Sequence, residues 1–257
     1  MMLVDVHSHP DFDEYAADIE EYLERQKNAG VKAIVDNGVT AKSNRRVLEL
    51  ARKYDIIRPS LGIYPVWAVD MSEEDFDKEL EFISKQKIVA IGEVGLDYLK
   101  GDDNPHGEFH KHRMKQCFEQ FIKLAENKRL PLMVHSRRAE LDCIEMLESS
   151  TLKNEKIIMH CFMGRKHLVK RIISNGWSLS IPCIIGRLQQ LQENVMMAPI
   201  NQLLTETDAP YMSPFVETKR NESMFVAETL KKIAEIKKLD AEEVSKMVFA
   251  NYQRIFL

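Results

Sequence analysis

Two histidines two positions apart near the start, His7 and His9, could do chemistry together. On an extended segment they share one face, and both imidazoles can reach a single ion. Four further residues are of the same kind: Glu93 in Gly92-Glu93-Val94-Gly95, His135 in His135-Ser136-Arg137, His160 in His160-Cys161-Phe162, and Asp208 in Glu206-Thr207-Asp208-Ala209-Pro210. Each follows a short apolar run. Taken singly, each has an ordinary explanation as a capping or hydrogen-bonded strand-end residue. Coincidence is the weaker account once all of them are placed at the same end of their strands. Four imidazoles and two carboxylates suit borderline divalent ions such as Zn²⁺ or Mn²⁺, with Mg²⁺ less favoured, and the number of ligands fits two ions better than one. Two such ions leave a positive excess that attracts phosphate. Paired ions ~3.5–4 Å apart can stabilise both the attacking and the leaving oxygen of a phosphodiester.

The elements that must position these residues follow from periodicity. Leu3 to His9, Val31 to Val39, Ile56 to Gly62, Ile88 to Glu93, Leu132 to His135, Ile157 to His160, Trp177 to Ile185 and Leu203 to Asp208 read as strands. Runs such as Ile88-Val89-Ala90-Ile91 are apolar on both faces, as in a strand between a barrel interior and outer helices. Helical patterns lie between them: Ile19 to Asn28, Thr40 through Ala51, a segment opened by Met71-Ser72-Glu73-Glu74, Glu108 to Lys128, Ala139 to Glu148, Arg165 to Ser174 and Gln189 to Met197. Ser223 to Lys237 and Ala241 to Ile255 close the chain. Eight β-then-α units predict an α/β chain, a single (β/α)8 TIM barrel with one extra C-terminal helix, occupying residues 1–257 as one domain. In that fold the strand C-termini form one mouth, where His9, Glu93, His135, His160 and Asp208 would meet.

Composition narrows the setting. A net charge of -4 argues against a protein coated for nucleic acid, while leaving room for a local basic rim. Cys117, Cys143, Cys161 and Cys183 form no Cys-x-x-Cys pair and read as free thiols in a reducing compartment. With no basic region before a long apolar run at the N-terminus and no stretch of membrane-spanning length, the expected location is the cytoplasm.

These motifs, in this order, resemble the TatD family of metal-dependent deoxyribonucleases, whose barrel is similar to that of the amidohydrolases. Lys219-Arg220-Asn221-Glu222 and the closing Asn251-Tyr252-Gln253-Arg254-Ile255-Phe256 resemble later signatures of that family. The resemblance implies that His7, His9 and Asp208 hold one ion, His135 and His160 a second, and Glu93 bridges the two. It also implies that Asp208 is the catalytic base and that Arg137, Tyr64 and Arg220 serve substrate binding, Arg220 with Asn221 chiefly by ordering a loop. One departure stands out: Gly62-Ile63-Tyr64-Pro65 occupies the place where the family commonly has Gly-x-His-Pro, and a neutral tyrosine cannot supply the positive charge of an imidazolium.

The expected activity is hydrolysis of DNA, as a 3′→5′ exonuclease on single strands, with water activated by two divalent ions. Lys100, Lys111, Arg137, Arg165, Lys166, Arg187 and Arg220 lie after strands, and Tyr64, Trp67 and Tyr98 could stack on bases. The alternative is a hydrolase of a small amide, ester or lactone, since the same water attacks carbonyls. A non-catalytic metal-binding protein is the minor alternative; it would be expected to have lost a ligand.

Overall fold

Strand after strand, the apolar runs form a parallel sheet in chain order. The computed structural model describes residues 1–99, 110–218 and 220–257. Its eight strands are β1 (Leu3–Ser8), β2 (Val31–Asn37), β3 (Ile57–Leu61), β4 (Ala90–Gly95), β5 (Leu132–His135), β6 (Ile157–His160), β7 (Ser178–Pro182) and β8 (Leu203–Glu206), each parallel to the next. The sheet curls until its ends meet. Thr205 Oγ1 of β8 donates to the Val4 carbonyl of β1 at 2.6 Å, and just beyond β8 the Asp208 amide donates to His7 O at 2.9 Å. The result is the expected (β/α)8 barrel.

The outer layer comprises α1 (Asp13–Ala16), α2 (Ile19–Asn28), α3 (Ala41–Lys53), α4 (Pro65–Asp70), α5 (Glu73–Ser84), α6 (Lys111–Lys128), α7 (Glu140–Glu148), α8 (Lys166–Ser174), α9 (Gln189–Met197), α10 (Val226–Lys237) and α11 (Ala241–Phe256). The starts of α3, α5 and α11 are set by side chains that take up orphan amides. Thr40 accepts from Ser43 N, Ser72 from Asp75 N, and Asp240 from Glu242 N and Glu243 N. Their apolar stripes, such as Met114, Cys117, Phe118, Phe121, Ile122 and Ala125 on α6, are buried against the strands. Among the described residues, no helix is long and apolar enough to cross a membrane.

Several boundaries differ from the sequence reading: β2 ends at Asn37 rather than Val39, β3 is one residue shorter at each end, and β4 runs from Ala90 to Gly95 rather than from Ile88 to Glu93. The seventh strand ends at Pro182 rather than Ile185, because the chain winds into a 3₁₀ turn over Cys183–Arg187, an apolar run whose period cannot separate strand from turn. The first and last strands stop short of His9 and Asp208. Short helices α1 and α4 were also not anticipated; α4 starts on Pro65, whose missing amide costs nothing at a first helical position. The predicted helix start at Glu108, and Lys100 and Lys219, lie outside the described residues.

Candidate metal centre

His7 on β1 is completely buried and His9, just beyond it, almost so, and their rings meet edge to face with centroids 5.0 Å apart. Across the barrel mouth, His160 at the end of β6 stacks on His7 at 3.7 Å, and His135 at the end of β5 lies 6.0 Å from His160. Glu93 reaches into this group from β4, which can approach β5 closely only because Gly95 has no side chain: a Cβ there would lie 2.0 Å from His135 O. Asp208 has φ 57, in the left-handed region that aspartate tolerates better than most residues. Its amide is tied to His7 O, so the turn after β8 is locked to β1 beside the histidines.

The nitrogen accounting is specific. A ligating imidazole normally gives its other nitrogen to a protein acceptor, which fixes its tautomer. His9 Nδ1 lies 2.8 Å from Asn37 O, His160 Nδ1 2.9 Å from Glu206 Oε2, and His135 Nε2 3.1 Å from Asp97 Oδ2. Three of the four rings therefore have one nitrogen held from behind. The other face turns inward: His7 Nε2 is 3.5 Å from Glu93 Oε2 and 3.4 Å from Asp208 Oδ1, His9 Nε2 3.7 and 3.4 Å from the same atoms, and His135 Nδ1 2.8 Å from Glu93 Oε1. His7 Nε2 and His135 Nδ1 are nevertheless buried without a hydrogen-bond partner. Buried polar atoms seldom go unpaired, and orphaned lone pairs converging on two carboxylates fit a divalent cation. Ligand atoms of His7, His9 and Glu93, and again of Glu93, His135 and His160, lie within 4.8 Å of one another.

The charges are matched to that use. Burial opposes ionisation of Glu93, but His7 and His135 outweigh it and hold the carboxyl well below its usual range. Asp208 is likewise lowered, burial being overcome by the His7 and His9 imidazoles that face it. Burial works against a charged His135, yet Asp97 and Glu93 push it up to about 9; His7 and His9 are also raised by the carboxylates they face.

Two supporting residues were missed as site residues in the sequence. Asp97 Oδ2 accepts from Tyr64 Oη at 2.5 Å and Arg137 Nε at 2.9 Å as well as facing His135, while its Oδ1 accepts from Leu99 N. Glu206 is fully buried and accepts from Cys161 N at 3.0 Å and from Ser180 Oγ in addition to His160. Both stand inside motifs already singled out, Ile91 to Asp97 and Glu206-Thr207-Asp208. A carboxylate two or four residues from a ligand is the signal that could have found them.

Tyr64 and Arg137 are brought to the rim of the cluster, next to His135, and both are tied to Asp97. Arg220 is not brought there. Its guanidinium grips Asp18 at 2.6 and 2.7 Å, donates to Glu14 O, and sits over the Tyr15 ring at 4.5 Å, so it clasps the loop after β8 onto the loop after β1. Among the other rim cations, Lys111 lies over the Tyr98 ring, Lys166 pairs with Glu193, and Arg187 donates to Ser213 O and Pro214 O. Trp67 is half exposed.

Residues 4–257 match the family model described as "TatD related DNase". The chain is 34% identical to "Uncharacterized metal-dependent hydrolase YabD" of Bacillus subtilis, over 99% of each. The chain belongs to the TatD family. Another relative, "3'-5' ssDNA/RNA exonuclease TatD" of Erwinia tasmaniensis, is 28% identical over 95% of each chain. Among solved structures, YJJV, a TatD homologue from Escherichia coli, superposes with a TM-score of 0.89 at 27% identity, covering 99% of this chain and 97% of that one. This TatD protein is thus a metal-dependent hydrolase built on the family barrel, and its His/Glu cluster provides groups able to bind metal.

Proposed function

We propose that residues 1–257 act as one two-metal phosphodiesterase, a 3′→5′ exonuclease on single-stranded DNA. The observation that carries it is the division of Glu93: Oε2 faces His7 and His9, while Oε1 faces His135. One carboxylate with each oxygen toward a different histidine group supports a bridge between two ions. His7, His9 and Asp208 would hold the first, His135 and His160 the second. When bound, the ions supply Lewis acidity toward a phosphoryl oxygen and make water acidic enough to attack near neutral pH.

The protein groups divide the remaining work. Asp208 has a side chain 20% exposed against 5% for Glu93, so it is the carboxylate open to the mouth. Held ionised, it accepts the proton of the attacking water on a carboxylate oxygen. Arg137, 48% exposed, uses Nε and Nη2 on Asp97, which leaves Nη1 for a phosphate oxygen. Tyr64 orients Asp97 and through it His135, a duty its neutral hydroxyl can perform without the charge of the family's histidine. Arg220 orders a loop and does not touch substrate. The activity named for the Erwinia relative supports nucleic acid as the substrate.

The test is to load the protein with Mn²⁺ or Zn²⁺, measure bound metal, and incubate it with end-labelled single-stranded DNA, double-stranded DNA, RNA and a panel of esters, lactones and amides. The expected result is about two ions per chain and stepwise shortening of single strands from the 3′ end. Turnover of carbonyl substrates alone would transfer the assignment to the alternative hydrolase.

A further inference from the structure

A second basic feature lies on the same face of the barrel, beside the metal centre. The loops after β4, β5 and β6 enclose a cleft of about 440 Å³ lined by Tyr98, Lys111, Arg138, Met163, Arg165 and His167. Arg138 and Arg165 are exposed, and neither has an ion pair or a side-chain hydrogen bond among the described residues. Of the acids lining the cleft, Asp142 is engaged by Lys115 and by Tyr98 Oη, each at 2.8 Å, leaving Glu140 against the cations. Arg138 also has φ 58, a left-handed conformation that costs a non-glycine residue free energy and tends to persist where a side chain has a task. Met163, 42% exposed, adds an apolar wall.

We propose that this cleft binds the backbone phosphates of a single-stranded nucleic acid at nucleotides next to the scissile one, with Arg138 and Arg165 as the phosphate ligands. Arg138 follows His135 by three residues and Arg165 follows His160 by five. A chain spans at most ~3.6 Å per residue, which puts the Arg138 backbone within ~11 Å of the His135 backbone, about the reach of one or two nucleotides of a strand leaving the centre. Planar guanidinium groups without internal partners among the described residues suit phosphate oxygens, and Met163 offers an apolar surface to sugar and base. The inference rests on the nuclease reading for its substrate, but its test reads binding and is separable from cleavage.

Metal-loaded wild type, Arg138→Ala/Arg165→Ala and Arg138→Lys/Arg165→Lys are titrated into fluorescent, cleavage-resistant phosphorothioate oligonucleotides of two and twelve residues, at several salt concentrations. The alanine pair should bind the 12-mer roughly tenfold more weakly at low salt and shift the slope of log K against log salt by about 1.4, the value expected when two phosphates of a single strand are no longer neutralised. Dinucleotide affinity should change less than twofold, and the lysine pair should keep most of the wild-type slope. An unchanged slope, or equal losses for dinucleotide and 12-mer, would overturn the cleft. If the 12-mer binds through the arginines yet no DNA is cleaved, the cleft stands and the nuclease reading falls.

Discussion

Asp97→Asn tests whether the centre depends on support from behind its ligands. Oδ2 of Asp97 takes donors from Tyr64, Arg137 and His135, and Oδ1 takes Leu99 N. An amide can present its oxygen to one side only, so either the Oδ2 group or Leu99 N meets a donor, and the negative charge is lost in both orientations. A hydrogen bond to a charged group is worth ~1.5–3 kcal/mol, and replacing a carboxylate behind a metal ligand typically costs 10–100-fold in affinity, or ~1.4–2.7 kcal/mol. The loss should fall on the ion assigned to His135 and His160 and spare the one assigned to His7, His9 and Asp208. A proton competes for the same ring. With His135 pushed up to about 9, an ion binding below that pH must displace a proton, and removing Asp97 relieves part of that competition. The deficit should therefore be larger at pH 9 than at pH 7. Stepwise Mn²⁺ titration against a fluorescent chelator at both pH values, with thermal melts to confirm folding, reads it. A loss under twofold at pH 9, or equal losses at both sites, refutes the reasoning.

Other outcomes follow from the same geometry. Glu206→Ala leaves the His160 ring and Cys161 N without their acceptor in a buried site and should cost about 2–4 kcal/mol in urea unfolding. Asp208→Asn should lower kcat by ~10²–10⁴ at saturating metal, and a rate above about a tenth of wild type would remove it as the base. Arg220→Ala should destabilise by about 1–2 kcal/mol through loss of the Asp18 pair and the Tyr15 contact. Asp18 is lowered by Arg220, so that stability is present above the ordinary carboxyl value of 3.8 and fades as pH falls through the folded-state value; wild-type and variant melting curves should converge in acid. Chelation should lower the melting temperature, and readdition of Mn²⁺ at ~100 times its Kd should return ~2.7 kcal/mol per site.

The barrel and the meeting of the candidate ligands at its mouth were legible because both are local in sequence. A strand buried on both faces is an uninterrupted apolar run, and in a parallel barrel the residue that ends the run is delivered to the mouth whatever the rest of the chain does. His135 and His160 close their strands, and reading them needed no knowledge of neighbours. The short helix on Pro65 and the 3₁₀ turn after Pro182 escaped because a single turn spans too few residues for its period to differ from a strand's.

What was not legible is relational. Asp97 meets Tyr64, 33 residues earlier, and Arg137, 40 later; Glu206 meets His160 across 46 residues. No spacing rule connects such pairs, because the barrel sets which strands are neighbours and the twist sets which side chains touch. Arg220 makes the point from the other side. It is a cation on a loop at the functional end, as a phosphate ligand would be, and the Asp18 that occupies it lies 202 residues away. Arg138 has the same local character but no such partner among the described residues. Two arginines equally placed by sequence are thus separated by one contact: Arg220 is taken up by Asp18, while Arg138, without such a partner among the described residues, keeps its donors for an anion from outside, and on that difference the proposed strand-binding cleft depends.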